Sequence, residues 1–348
     1  MSGKRVSIAT TVAGLLAIGG LSAGTAAAAH AQAAPVSGGP QWHIVKSLNG
    51  AAAGTFTAVV ATGKSTGWAF QEGGVRAPDV AWELAGGKWT RESFPANSNE
   101  VVGAAAATSP SDVWAVTYVQ GGGSRVLRFN GHKWSVARVF KQTIGSLSVR
   151  SATDVFAFGA DAVLHYNGHV WSPVASPVDG GSVLSDHDIW GSSGTNIEHW
   201  NGHKWTVTSV KNLLPPPLPL YGPRLADIIA LSDANVYATG NGHAQDAGGP
   251  IVLLHYDGHT WRKVADAGLG GGGGEMSLDG RGGLWIPLPG VSGEKSYMLH
   301  YANGKLARIT LPRSAAVLTI SRMPATTRQL ACGYVPSATG PAVILQYS

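Results

Sequence analysis

The chain has 348 residues, and only 13% of them are charged. Its 48 glycines are about twice the average usage, and with 12 tryptophans they exclude a solvated coil and favour short strands joined by glycine-rich turns. The net charge of +5 comes without a basic run, so nucleic acid is not an expected partner. One cysteine, Cys332, excludes an intramolecular disulfide framework, a cysteine-based zinc site and a CxxC redox pair.

The N-terminus has the pattern of a secretory signal peptide. Lys4 and Arg5 precede an uncharged run over 6–29 that is rich in Ala, Gly and Leu. Small-residue sites follow, which predict cleavage after Ala31 or Ala33. No cysteine lies near these sites, so a bacterial lipoprotein is not expected.

This pattern divides the chain into three parts. We expect a signal peptide over 1–33, a short linker over 34–40 and a single domain over 41–348. The protein is therefore predicted to be secreted, extracellular and free of the membrane after cleavage. An uncleaved membrane anchor is the alternative, because the apolar run is nearly long enough to span a bilayer.

The domain consists of one repeated unit that carries two signatures. The first is an Asn-Gly or Asp-Gly turn followed by tryptophan, a strong hairpin signal because both turn residues need a positive φ. The second is an aromatic residue that follows a turn and precedes a small residue. The hairpin signature occurs at 128–136, 165–174, 199–207 and 255–264, with weaker copies at 83–90 and 300–309; the aromatic signature occurs at 66–70, 112–116, 154–159, 188–192, 235–240, 283–288 and 328–333.

The spacing and number of these signatures predict a ring. The hairpin tryptophans lie 34 to 56 residues apart, which is typical of propeller blades. Aromatic signatures occur seven times and hairpins six times, and the chain ends at Ala342–Ser348, where a seventh hairpin would turn. The segment Gly39–Val45 carries the missing tryptophan pattern. We therefore predict an all-β fold, a β-propeller of seven four-stranded blades whose last blade is closed by the N-terminal strand, with six or eight blades as alternatives.

The paired signatures, DVWAV at Asp112–Val116 and HYNGHVW at His165–Trp171, resemble those of secreted actinobacterial β-propeller proteins. More loosely, they are similar to the kelch, galactose-oxidase central-domain and BNR propellers. The resemblance covers Gln41–Ser348 and implies a propeller whose function resides in its loops. Cys332 occupies a strand position that Phe158 holds in another unit, so it indicates packing rather than a galactose-oxidase-like copper site. The SxDxGxTW boxes that a sialidase would need are incomplete in this sequence. We therefore infer neither galactose oxidase nor sialidase activity from the resemblance.

The candidate binding residues lie on loops at one face of the ring. In a four-stranded blade, the loops after the second and fourth strands share the face at the channel opening, here called the mouth face, and the hairpin turns share the other. Stiff loops with aromatic and arginine side chains suit a sugar or peptide site, although an insertion without a ligand is the simpler alternative for any one loop. The proline-rich loop Lys211–Arg224 is the most irregular. The candidates are Tyr221, Arg224, Asp227, His243 and Asp246.

Metal and cofactor chemistry is not expected. Eight of the twelve histidines belong to the repeat, and equivalent positions in different blades lie far apart around a ring. The group Asp186–Asp188 is interpreted as a blade turn rather than a calcium site. No GxSxG elbow, HExxH motif or P-loop occurs, so no catalytic residue, metal ligand or cofactor is predicted.

Three functions remain open at this point. The first is a secreted, monomeric, non-catalytic propeller that binds a cell-envelope polysaccharide, peptide or protein through the mouth face. The alternative is a secreted glycan- or lactone-active hydrolase or lyase, for which Asp227, His243 and Asp246 are positional candidates. The third is a structural scaffold without a ligand.

Overall fold

The computed structural model describes residues 40–49, 54–73, 77–159, 161–175, 178–216, 222–242, 249–270, 275–290, 295–337 and 340–348. Within these residues the chain forms 28 strands and two single-turn 3-10 helices. No helix in this part of the chain is long and apolar enough to cross a membrane.

The strands follow one another in groups of four after a single N-terminal strand. The first ten are β1 (Trp42–Leu48), β2 (Phe56–Ala61), β3 (Gly67–Gln71), β4 (Val80–Ala85), β5 (Lys88–Glu92), β6 (Glu100–Ser109), β7 (Asp112–Val119), β8 (Ser124–Phe129), β9 (Trp134–Phe140) and β10 (Ile144–Ser151). The next ten are β11 (Asp154–Gly159), β12 (Val163–Tyr166), β13 (Trp171–Ala175), β14 (Gly180–Ser185), β15 (Asp188–Ser193), β16 (Asn196–Trp200), β17 (Trp205–Ser209), β18 (Arg224–Ser232), β19 (Asn235–Asn241) and β20 (Gly249–Tyr256). The last eight are β21 (Trp261–Gly270), β22 (Ser277–Leu278), β23 (Leu284–Leu288), β24 (Tyr297–Ala302), β25 (Lys305–Thr310), β26 (Ala316–Arg322), β27 (Gln329–Tyr334) and β28 (Ala342–Tyr347); the 3-10 helices are Lys211–Leu213 and Pro312–Ser314.

These strands form seven antiparallel sheets of four strands each. Blades 1 to 6 are consecutive meanders, from β2–β5 to β22–β25. Blade 7 has the order β1-β28-β27-β26, so the N-terminal strand is its outermost member. Trp42 pairs with Tyr347 and Leu48 pairs with Ala342. The predicted seven-bladed ring with a shared last blade is confirmed, and the closing strand begins three residues later than the sequence indicated.

The hydrophobic core consists of layers between adjacent blades. The small residue that follows each signature aromatic lies on the second strand of its blade, where two sheets approach most closely. Five of these residues are alanines with no exposed surface. A larger side chain occurs only in blade 6 among the seven, where Ile286 fills the position. The alanines are Ala69, Ala115, Ala157, Ala238 and Ala331.

The tryptophans of the outermost strands connect neighbouring blades. Each of four packs against the signature aromatic of the preceding blade, so a single large side chain buries apolar surface on two sheets. This contact explains why a hairpin tryptophan accompanies the aromatic signature of the preceding unit in these four cases. The ring pairs are Trp134 with Trp68 at 5.1 Å, Trp171 with Trp114 at 6.4 Å, Trp261 with Trp190 at 6.2 Å and Trp42 with Trp285 at 5.5 Å between centroids.

Side-chain oxygens also join the blades at the channel. A buried backbone N–H needs an acceptor, and the inner edge of an innermost strand offers none within its own sheet. At five of the seven junctions, an oxygen of one blade accepts a backbone N–H from the inner edge of the next. The donors and acceptors are Val102 N to Asp79 Oδ2 at 2.7 Å, Ile144 N to Ser124 Oγ at 2.9 Å, Ala230 N to Ser182 Oγ at 3.1 Å, Met276 N to Asp227 Oδ2 at 2.6 Å and Val59 N to Thr319 Oγ1 at 3.1 Å.

Closure of the ring by β1 can be tested at Trp42, which is 5% exposed and contacts Trp285 and Tyr347. Replacing Trp42 by Ala should lower the free energy of unfolding by about 3–5 kcal/mol, as for other buried aromatics. Urea denaturation measures the change. His43→Ala, on the exposed side of the same strand, is the control and should stay within about 0.5 kcal/mol. Similar small effects of both variants would show that β1 contributes little to closure.

Candidate binding site at the channel mouth

The mouth face is arranged as the strand order requires, with the loops after the second and fourth strands of each blade opening on it. The loop between β17 and β18 begins with the 3-10 turn Lys211–Leu213, and then Leu214 and Pro215 are buried. Leu214 lies so close to β19 that a Cβ at Gly240 would collide with it. The first half of this loop therefore packs onto blade 5 and does not project from it.

The structure describes two of the five predicted binding residues. Tyr221, His243 and Asp246 lie outside the described residues. Arg224 is the first residue of β18 and is partly buried. Asp227 lies three residues further along the same innermost strand and faces blade 6. The predicted candidates that can be placed thus belong to one strand beside the channel.

Asp227 is a largely enclosed carboxyl group. Burial raises its pKa to about 7, against the opposing effect of hydrogen bonds from the backbone of Met276 and Ile228. The Met276 N–H donates to Asp227 Oδ2 at 2.6 Å across the junction between blades 5 and 6. No basic side chain among the described residues pairs with this carboxyl.

Glu275 is a second enclosed carboxyl that sequence reasoning missed. It immediately precedes Met276, just ahead of the two-residue strand β22. Burial, and to a lesser extent the nearby charge of Asp227, raises its pKa to about 8. The two carboxyls lie 48 positions apart in the chain, and the adjacency of blades 5 and 6 brings them near enough for their charges to interact.

The charge of Glu275 also affects the pKa of a tyrosine in blade 2. Tyr118 on β7 is held by a hydrogen bond from its hydroxyl to Gly145 O at 3.1 Å. Its ring occupies the space that a side chain at Gly103 would need, which explains the glycine in the bulge of β6. Burial, and to a lesser extent the charge of Glu275, raises the pKa of Tyr118 to about 12.

Four of the repeat histidines form contacts within their own blades. All four lie at the end of a third strand, where each stacks on the signature aromatic of its own blade and hydrogen-bonds an acidic or amide residue that precedes that aromatic, by two positions in three blades and by six in blade 6. The ring centroids are 3.8 to 4.4 Å apart. The hydrogen bonds, all 2.9 Å, join His165 to Asp154, His199 to Asp188, His255 to Asn235 and His300 to Asp279.

One set of these groups has the residue types of a metal site. Oxygen and nitrogen atoms of Asp154, His165 and Asp186 lie within 4.8 Å of one another. Arg150 forms ion pairs with both carboxylates, however, so a guanidinium already occupies the position next to them and offsets half of their charge. Asp186 belongs to the turn between β14 and β15, as the sequence predicted. This set is best understood as an ion-pair network that holds the turn.

A groove between blades 2 and 3 is a further surface feature that the sequence did not indicate. Its volume is about 470 Å³, and its walls include Arg128, Arg138 and Trp171. Tyr166 stacks on Trp171 with centroids 5.2 Å apart. The groove lies on the outer strands, near the hairpin turns, and is therefore separate from the mouth.

Solved structures with this architecture have very different sequences. No protein-family model matches the chain, and no curated protein matches it either. The WD40 β-propeller domain of Doa1 superposes with a TM-score of 0.61 and 14% identity, over 89% of this chain and 97% of that one. YCF48 bound to D1 peptide superposes with a TM-score of 0.58 and 12% identity, over 88% of this chain and 96% of that one. YCF48 from Cyanidioschyzon merolae superposes with a TM-score of 0.56 and 13% identity, over 88% of this chain and 98% of that one.

The chain is a seven-bladed β-propeller. At these identities the likeness shows the fold alone, and the neighbours include WD40 domains. The finer resemblance to actinobacterial, kelch or BNR repeats stays a prediction.

The enclosed carboxyls predict a particular dependence of stability on pH. Because the pKa values of Asp227 and Glu275 are higher in the folded chain than the ordinary values of 3.8 and 4.5, the folded state binds their protons more tightly. Their contribution to stability is complete at low pH and is lost as the pH rises through about 7 to 8. Urea denaturation with a chelator present should show this decrease. Combining Asp227→Asn with Glu275→Gln should remove most of it, whereas Asp186→Asn should leave it unchanged.

Cys332 should be unreactive in the folded protein. Its thiol is fully buried in β27 and lies 3.3 Å from Thr319 Oγ1. Burial raises the thiol pKa to about 12, so the nucleophilic thiolate is scarce at neutral pH. A thiol reagent should label the protein in denaturant and leave the native protein unlabelled over the same time. Rapid native labelling would contradict this burial.

Proposed function

We propose that the protein is a secreted, non-catalytic propeller that binds a cell-envelope peptide or protein through its mouth face, with a polysaccharide as the other ligand class. The observation that carries the proposal is the contrast between the two faces. The hairpin turns repeat almost unchanged from blade to blade, because they build the blades. The mouth loops differ in length and composition, as recognition loops on a rigid scaffold do.

The comparison with YCF48 supports a peptide as ligand. That propeller is described in complex with a D1 peptide, and it aligns with 88% of this chain. A rigid ring loses little conformational entropy on binding, so small patches of loop can supply useful affinity. Secretion rests on the pattern over 1–33, and it places the expected partners outside the cell.

The hydrolase or lyase alternative would draw on Asp227 and Glu275. A glycosidase pair needs one carboxylic acid and one ionised carboxylate at its working pH. Burial raises the pKa of both groups here, with nothing basic beside either among the described residues. Between those pKa values Asp227 would be ionised and Glu275 protonated, so turnover has to be tested directly.

A thermal-shift screen with peptides, wall fragments and saccharides tests the proposed function. A ligand that binds only the folded state stabilises it by about 2.7 kcal/mol at a hundred times its dissociation constant. Turnover of any stabilising compound would favour the hydrolase alternative. A flat screen across all classes would favour a scaffold without a small ligand.

Paired variants then locate the site. Replacing Tyr221 and Arg224 by Ala should weaken binding of the identified ligand by tenfold or more, about 1.4 kcal/mol. The matched control replaces His203 and Lys204, two exposed residues of a hairpin turn on the opposite face. Equal affinities for all variants would reject this loop as the binding surface.

A further inference from the structure

The groove between blades 2 and 3 combines aromatic rings with two arginines. Its volume of about 470 Å³ lies within the size range of small-ligand pockets. Trp171 and Tyr166 line the blade 3 side, and both are partly exposed. Arg128 and Arg138 line the blade 2 side. We call these four residues the arginine groove.

Arg128 is held in a fixed position by contacts within blade 2. Oδ1 of the buried Asp112 lies 3.1 Å from both Nε and Nη2 of Arg128. The Arg128 guanidinium also lies over the ring of Trp114, with its Cζ 4.9 Å from the ring centroid. A side chain that is already fixed loses little conformational entropy when it donates a hydrogen bond to a ligand. Arg128 therefore offers oriented donors, while Asp112 offsets its charge.

Arg138 supplies a positive charge that forms no ion pair with another described residue. It is exposed on β9, and its Cζ lies 5.9 Å from the ring centroid of Phe140. Phe140 packs against Trp171 with centroids 5.4 Å apart, so the Arg138 guanidinium lies close to the aromatic rings of the groove. The planar guanidinium presents donors that match the oxygens of a carboxylate or a phosphate. An anionic group is therefore the ligand chemistry that this side chain fits.

The repeat does not require either arginine. Arg128 pairs with the signature aromatic of blade 2, and four other blades have a histidine at that position. Arg138 pairs with Val126, two positions before Arg128, and the equivalent residues in blades 1, 4 and 6 are Glu92, Thr208 and Ile309. Within the described strands, blade 2 alone carries a lysine or arginine at both positions. Blade construction therefore leaves this pair of charges unexplained.

The neighbouring junction, between blades 1 and 2, has the opposite chemistry. Glu83 and Glu92 occupy the two equivalent positions of blade 1. Trp134, the equivalent of Trp171, is only 7% exposed, and Phe94 packs against it with centroids 5.2 Å apart. Basic side chains and accessible aromatic rings thus occur together at the junction of blades 2 and 3, where the adjacent junction has acidic side chains and a covered ring.

We propose that the arginine groove binds an acidic sugar, meaning a sugar ring that carries a carboxylate or a phosphate group. Trp171 and Tyr166 offer apolar surface to the face of the ring, and the two guanidinium groups donate hydrogen bonds to its anionic oxygens. An extended peptide binds mainly through main-chain hydrogen bonds, whereas side chains from two sheet faces line this groove. The groove is separate from the mouth face, so the proposal does not rest on the proposed function.

Isothermal titration calorimetry of the purified protein tests the proposal, with trigalacturonate as the carboxylated sugar and glucose 6-phosphate as the phosphorylated one. At constant ionic strength, we expect saturable binding of at least one of them. Maltotriose, inorganic phosphate and a tetraglutamate peptide should each bind about tenfold more weakly or worse, because each lacks either the anion or the sugar ring. Equal affinity for maltotriose, for phosphate or for the acidic peptide would overturn the proposal.

Two variants of blade 2 and one control make the outcome specific. Arg138→Glu places an acidic residue at an exposed position, as blade 1 does, and should weaken binding of the acidic sugar by about tenfold or more. Arg128→His introduces the residue that makes the same contacts in four other blades, so affinity should fall several-fold while the melting temperature is kept. Lys204→Ala removes an exposed charge from a hairpin of blade 4 and should change affinity by less than about twofold.

Two results would overturn the proposal. One is the absence of saturable binding of either acidic sugar up to about 10 mM. The other is binding that Arg138→Glu and Arg128→His both leave unchanged. The variant with Tyr221 and Arg224 replaced should bind the acidic sugar in this groove normally, so failure of the mouth-face proposal and failure of this one are distinguishable.

Discussion

The inner edge of each blade is the constraint on which the rest of the structure depends. A four-stranded sheet leaves backbone N–H groups of its innermost strand without a partner, and the sheet's apolar faces are also uncovered. Neighbouring blades meet both requirements, through an oxygen such as Thr319 Oγ1 and through a shared tryptophan such as Trp134. No blade satisfies them alone. The closed ring is therefore the smallest stable unit, and pairing of β1 with β28 is part of the same requirement.

This constraint also explains why so much of the fold could be predicted from the sequence. Each blade solves the same packing problem, so the same residues recur: a turn glycine, a tryptophan, an aromatic and a small residue such as Ala115. A motif that recurs at a regular spacing can be recognised from the sequence without knowing which residues are in long-range contact. Even the shared blade followed from counting, because Trp42 supplied the pattern that the C-terminal unit lacked. The burial of Cys332 followed from its alignment with Phe158 in the repeat.

The candidate site could be predicted only in part, because it depends on contacts between blades. Asp227 was recognised by its position near an irregular loop. Glu275 was not, since it follows a glycine run, lies ahead of a very short strand and has no local motif. Its relation to Asp227 arises from the ring, which joins residues 48 positions apart. The sequence likewise could not show that Arg150 neutralises Asp186, because that contact also spans two blades.

Departures from the repeat are therefore more informative about function than the repeat itself. Blade 6 has the shortest innermost strand described, Ser277–Leu278, and places Ile286 where other blades have a small residue. Its partner, blade 5, replaces a neutral residue by Asp227 at the same level of the channel. Packing alone allows small, uncharged side chains at this strand position, as Ala58 and Ala104 show in blades 1 and 2, although Asp79 brings a carboxyl to the junction between those two blades from a loop. The acidic residues Asp227 and Glu275 and the Thr239 hydroxyl, which is unpartnered among the described residues, therefore mark blades 5 and 6 as the part of the ring where packing alone does not explain the sequence.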